Sequence, residues 1–183
     1  MSSLRRSARL LFLPLLLLLA ACGGGGGGSS PSEPPPTPTP PGITFTPDGA
    51  PANSISLAAG AATTATTLVL EVRANSVTDL YGVAFDLHYP SAFLRFNRAT
   101  IGAFLTGGTL QATPGATGVV IVGAAKLGPV SGATGSGVLM SLEFQATGPG
   151  QGTFSFARNS AIDSAERPPA GLTWSAGAVT VVQ

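Results

Sequence analysis

The 183-residue chain has one cysteine, one histidine, one tryptophan and one lysine, and only 9% of its residues are charged, against roughly 25% in an ordinary globular protein. With Cys22 alone, no intrachain disulfide and no cysteine-based zinc site can form, so stability must come from apolar packing. Three of the nine basic residues (Arg5, Arg6 and Arg9) crowd the first nine positions, and beyond them six basic residues face eight acidic ones. The basic patch that nucleic-acid binding requires is therefore missing, and nucleic acid is not an expected partner. Long hydrophobic runs are scarce too: the longest, Leu10 to Ala21, has 12 residues and is broken by Pro14, whereas a spanning helix needs about 20.

What is abundant is apolar and flexible. Hydrophobic residues make up 44% of the chain, with 25 glycines and 16 prolines. That hydrophobicity is too high for general disorder, and the length leaves room for one domain of about 100 to 150 residues.

Met1 to Arg9 is basic, Leu10 to Leu19 is almost continuously leucine, and Leu19-Ala20-Ala21-Cys22 follows. This is the layout of an export signal. It resembles bacterial lipoprotein signal peptides, whose lipobox the last four residues match at every position. The resemblance implies cleavage after residue 21, diacylglycerol on the Cys22 thiol, and acylation of the new amine. With two or three chains at about 0.8 kcal/mol per buried methylene, such an anchor holds durably. Gly23 stands where an aspartate commonly retains such proteins at the inner membrane, so the outer membrane is expected, with the domain periplasmic or surface-exposed.

Residues 22 to 42 read as a tether. Six glycines from Gly23 to Gly28 predict a random coil of roughly 13 Å. The proline-rich stretch that follows predicts an extended polyproline helix of about 34 Å.

From Ile43 onward the apolar pattern has period two. Leu68, Leu70 and Val72 share one face, as do Tyr81, Val83, Phe85, Leu87 and Tyr89, which leaves Gly82, Ala84, Asp86 and His88 on a solvated face. Met140, Leu142, Phe144 and Ala146 repeat the device, as do Leu94 with Phe96 and Phe154 with Phe156. Val119 to Ala125 is apolar on both faces, predicting either a central strand or one covered by a partner. Turn chemistry at Asn75-Ser76, Thr106 to Gly108, Pro114-Gly115, Gly128 to Gly137, Gly148 to Gly150 and Pro168 to Gly171 separates the runs. Residues 43 to 183 are thus expected to form an all-β domain, a nine-stranded antiparallel β-sandwich of jelly-roll type.

The stretch Asp79 to Phe96, with Ile101-Gly-Ala-Phe-Leu105 after it, resembles the third and fourth strands of a cohesin domain. Gly137 to Phe144 is similar to the seventh strand of that family, and Trp174 to Val181 to its closing strand. The resemblance implies a nine-stranded jelly roll, related to carbohydrate-binding modules, that has no catalytic machinery and binds dockerin modules through the sheet of strands three, five, six and eight. It places a partner-binding face on Gly82, Ala84, Asp86 and His88, with Ser155 on the neighbouring strand. The sequence departs from the family at two points. Tyr89-Pro90-Ser91 stands at the family's tyrosine-aspartate-proline turn, and the polar pair offered to dockerin falls at Gly82 and Ala84.

Other chemistry finds little support. Asp86 and His88 share a strand face at roughly 7 Å, a spacing that does not supply the direct hydrogen bonds of a Ser-His-Asp triad. Glu71, Asp79, Asp86, Glu143, Asp163 and Glu166 are numerous enough for a glycosidase pair, but nothing in their placement pairs them. Asp163 to Glu166 lacks the dense oxygen ligands of a calcium loop and reads as an acidic turn. Tyr81 and Tyr89 belong to the apolar face and are expected in the core. Trp174 is the one candidate for a sugar platform, provided it lies on an exposed flat face. A membrane-tethered, non-catalytic interaction module is therefore expected, with no cofactor and no metal; a carbohydrate-binding module acting on polysaccharide is the alternative.

Overall fold

The computed structural model describes residues 40 to 183; the leader, Cys22 and nearly all of the tether lie outside the described residues. The described chain is built from ten strands: β1 (Gly42–Pro47), β2 (Ser54–Ala59), β3 (Thr67–His88), β4 (Leu94–Ile101), β5 (Thr109–Pro114), β6 (Val119–Ala125), β7 (Ala133–Ala146), β8 (Gly150–Asp163), β9 (Thr173–Ser175) and β10 (Gly177–Val182). A single 3-10 turn, Ala103–Leu105, interrupts them.

The two faces of a sandwich are joined by one strand. β3 is 22 residues long. Its first half pairs with β2 and β7, and its second half with β6 and β8. The first sheet therefore runs β9-β2-β3-β7-β4, and the second runs β1-β10-β8-β3-β6-β5. Every pairing is antiparallel except β2 with β9. The crossing occurs where Asn75-Ser76 predicted a turn. Ser76 and Asp79 take positive φ values of 49° and 52°, and the β3–β7 register slips between Ala74, Val77 and Leu80. The turn chemistry is used here to bend a strand from one sheet into the other, as corners of sandwiches are made by bulged strands.

The same slip overturns one expectation. Between Leu80 and Gly82 the register against β8 shifts, so Leu80 is buried while Tyr81, expected in the core, is only half-buried. The Tyr81 hydroxyl donates to the Gly128 carbonyl at 2.8 Å. Tyr89, beyond the slip, packs against the core as expected, its ring 5.0 Å from that of Phe144.

The inner faces otherwise follow the period-two reading. Leu68, Leu70 and Val72 meet Met140, Leu142 and Phe144 across the first sheet, and Val83, Phe85 and Leu87 supply the second. Phe144 holds Tyr89, Phe96 and Phe154 in contact, and Phe85 does the same for Phe156 and Trp174. The buried hydroxyls of Ser54 and Ser56 both accept from the Asn75 side-chain amide, at 3.1 and 2.9 Å, so the crossing carries its own polar satisfaction.

Candidate functional site

The outer face of the second sheet is where the sequence placed a partner. The β3–β6 and β3–β8 registers align its outward residues in rows: Ile162, Gly82 and Ala125; Ser160, Ala84 and Gly123; Ala157, Asp86 and Ile121; Ser155, His88 and Val119. Strand β5 extends the first three rows with Thr109, Gln111 and Thr113. Gly82, Ala84, Gly123 and Ala125 are thus neighbours, and because none has a side chain beyond Cβ they form the floor of a shallow trough. The trough measures about 640 Å³ and is walled by Ile162 and Ser160 on one side and by Gln111 and Ile121 on the other. A Cβ built on Gly82 would meet the Ala125 methyl at 3.1 Å, whereas one built on Gly123 would point into open space.

Strand β6 resolves an alternative left open by its sequence. Val120, Val122 and Ala124 face the core, and among the described residues no element covers its outward side, leaving Ile121 49% exposed. Its doubly apolar pattern therefore reflects an uncovered apolar surface on a strand lying between β3 and β5.

Asp86 departs from the solvated face expected for it. It is buried, 5% exposed, and accepts from Nε of Arg158 at 2.6 Å; Nη2 of the same guanidinium contacts the same oxygen. Arg158 owes this position to a bulge. Between the Ala84–Ser160 and Asp86–Ala157 pairs, two β8 residues stand opposite Phe85 alone, and Arg158 has a φ of +46°. A bulge re-aims a side chain in this way, and the sequence carries no glycine or asparagine at Arg158 that would have signalled it. His88 and Ser155 are exposed and stand opposite one another, so all five sequence-derived residues lie on one surface.

Trp174 does not meet the condition for a sugar platform. It is half-buried, with its ring edge-on to Phe85 and Phe156 at centroid distances of 5.7 and 5.0 Å. The single tryptophan packs on the rim of the core through these edge contacts.

The carboxylates are dispersed among separate partners. Glu71 pairs with Arg73, Glu143 with Arg98, and Asp163 with Arg167 four residues on. Asp79 accepts from the Gly132 amide at 2.7 Å and the Ser164 hydroxyl at 2.7 Å. The Ser164 hydroxyl and Gly132 amide hold the Asp79 carboxyl below its ordinary value, and the Arg167 amide and guanidinium do the same for Asp163. Arg98 and Asn97 lower Glu143 likewise. Asp79, Glu143 and Asp163 are thus held ionised by local donors, and the acidic stretch from Asp163 is a closed turn.

No family model matches the sequence, and no curated protein matches it. Solved structures do match the fold. A non-cellulosomal cohesin from the archaeon Archaeoglobus fulgidus superposes with a TM-score of 0.52 at 15% identity, covering 73% of this chain and 87% of that one. The type II cohesin A11 from Bacteroides cellulosolvens gives 0.55 at 10% identity, over 77% and 98%. A type I cohesin–dockerin complex from Clostridium thermocellum gives 0.53 at 12% identity, over 61% and 81%. The architecture is that of a cohesin jelly roll.

Proposed function

We propose that this chain is a non-catalytic interaction module of the cohesin kind, held at the bacterial envelope by lipid on Cys22, and that it binds a dockerin-like protein through the outer face of β8, β3, β6 and β5. The observation that carries the reading is the trough floored by Gly82, Ala84, Gly123 and Ala125. It is apolar, shallow and continuous with exposed Ile121, and Asp86 on it is already paired with Arg158. Contact there would be mainly shape and apolar area, with few charges and a weak dependence on salt. The solved complex of a structurally similar cohesin with a dockerin supports a protein partner.

The test is capture from the same cell's envelope and secretome, with the full-length protein and its Ala84→Arg variant as paired baits. The variant, whose new side chain would fill the trough from its floor, is expected to lose the captured protein while melting at the same temperature. Equal capture by both baits, together with loss on Trp174→Ala and recovery of polysaccharide, would overturn this reading in favour of carbohydrate binding.

The tether is tested separately. Replacing the single thiol by Cys22→Ser is expected to move the protein from the membrane pellet to the soluble fraction, because no other residue can be lipidated as the lipobox implies. A variant that stays in the pellet, together with a wild type whose mature form is uncleaved, would refute the anchor.

A further inference from the structure

The pair at the centre of the trough's lower edge is unusual for an apolar surface. Asp86 is taken out of water in a row whose other members are Ala157, Ile121 and Thr113. An ion pair with its carboxylate buried and its guanidinium in water contributes little net stability, since burying the carboxylate offsets much of the attraction. Arg158 meanwhile holds a left-handed backbone conformation that disfavours a residue with a β-carbon. The arrangement has one clear product: it fixes a guanidinium on the interaction face.

The geometry of that guanidinium is asymmetric. Nε and Nη2 both turn to the single Oδ2 atom of Asp86. Of the five N–H donors of an arginine, three remain, on a side chain 81% exposed. These donors lie on the exposed part of the side chain, on the face where Asp86 stands in one row with exposed Ile121. A carboxylate arriving there would meet an oriented, charge-assisted donor pair on a surface that excludes water once covered.

Resting on the interaction reading above, we infer that Arg158, oriented by Asp86, is the specificity-determining residue of this face and selects a partner protein that presents a carboxylate side chain amid small or aliphatic residues. Asp86 is the positioning residue: it sets the angle of the guanidinium and does not itself touch the partner. Among the described residues, the outward positions of β3, β5, β6 and β8 in the three rows of the trough hold no other lysine or arginine.

The experiment is selection from a displayed library of helical hairpins with randomised surfaces, against two full-length baits solubilised in detergent: wild type and the Asp86→Asn/Arg158→Gln double variant. The double variant removes both charges together, so no buried carboxylate is left unpaired; Arg158→Gln alone is a third bait, expected to behave as the double variant does. Hairpins that bind wild type but not Ala84→Arg define binders of the trough. Among these, one position is expected to be enriched in Asp or Glu with wild type and not with the double variant. A wild-type-selected hairpin is expected to lose about tenfold or more in affinity for the double variant, and to lose the same on replacement of its own carboxylate by the amide. Trough binders with equal carboxylate content from both baits would overturn the inference and leave the interaction face standing. Absence of any hairpin sensitive to Ala84→Arg would overturn both.

Discussion

Phe85→Ala is expected to destabilise the domain by about 3 to 5 kcal/mol, the range for removing a large aromatic from a core that only partly collapses. Phe85 is 2% exposed and meets Phe156 and Trp174 edge-on at 5.1 and 5.7 Å, so both the buried area and two aromatic contacts are lost. It also lies on β3, the strand that both sheets share, so no neighbouring strand can move inward to close the cavity without disturbing the other sheet. In a domain of this size the loss corresponds to a melting temperature lower by roughly 10 °C or more. Urea unfolding followed by circular dichroism is the direct measure, with Phe85→Leu expected to cost only about 1.5 kcal/mol or less because volume is nearly kept. A loss below about 1 kcal/mol for the alanine variant would mean that the aromatic cluster does not anchor the second sheet. The neighbouring outward positions Ala84 and Asp86 share the same stretch of backbone, so this variant should also weaken partner binding, and with a loss of stability that Ala84→Arg does not cause.

The strands and their inward faces were legible because a half-buried strand writes its burial in alternate residues; Leu68 to Val72 and Met140 to Ala146 do so without interruption, and Val83 to Leu87 does so except at Asp86. What the alternation cannot carry is an irregularity. The slip at Leu80 moved Tyr81 out of the core, the bulge at Arg158 placed a cation over Asp86, and the crossing at Ser76 turned an apparent loop into the middle of the longest strand. Each involves a non-glycine residue at positive φ, namely Ser76, Asp79 or Arg158, and an apolar alternation does not record where the backbone turns left-handed. The closing segment shows a related gap. Trp174 to Val181 reads as one strand, yet it divides at Ala176 into β9, beside β2, and β10, beside β8 and β1. The face itself was readable from Gly82, Ala84, Asp86, His88 and Ser155. Its opposite wall, Gln111 and Ile121, depends on which strands pair with β3 and β6, and pairing between distant segments is not written in either one.

Two glycines with opposite surroundings separate stability from recognition. Gly102 has extended backbone angles that any residue adopts, so its requirement is steric. A Cβ there would stand 2.1 Å from the Val138 carbonyl oxygen and 2.6 Å from its carbon, closer than any non-bonded contact. The close approach arises because β7 bulges at that point: Val72 faces Met140 while Arg73 faces Val138. The Leu139 carbonyl, skipped by β3, instead accepts from the Gly102 amide at 2.8 Å. Directly afterwards the 3-10 turn carries Leu105 into the core. Gly102→Ala must push the turn away from β7, breaking that bond and withdrawing Leu105, and is expected to cost about 3 kcal/mol or more. At Gly123 nothing lies within 4 Å of the added carbon. Gly123→Ala should therefore be neutral or stabilising by about 0.5 to 1 kcal/mol, through reduced freedom of the unfolded chain. The same methyl rises from the floor of the trough, so Gly123→Ala is expected to weaken capture of the partner that Ala84→Arg abolishes. Urea midpoints of the two variants, read beside their capture of that partner, decide the matter. A stable Gly102→Ala would show that the turn is not seated on β7, and undiminished capture by Gly123→Ala would show that the partner does not reach the floor.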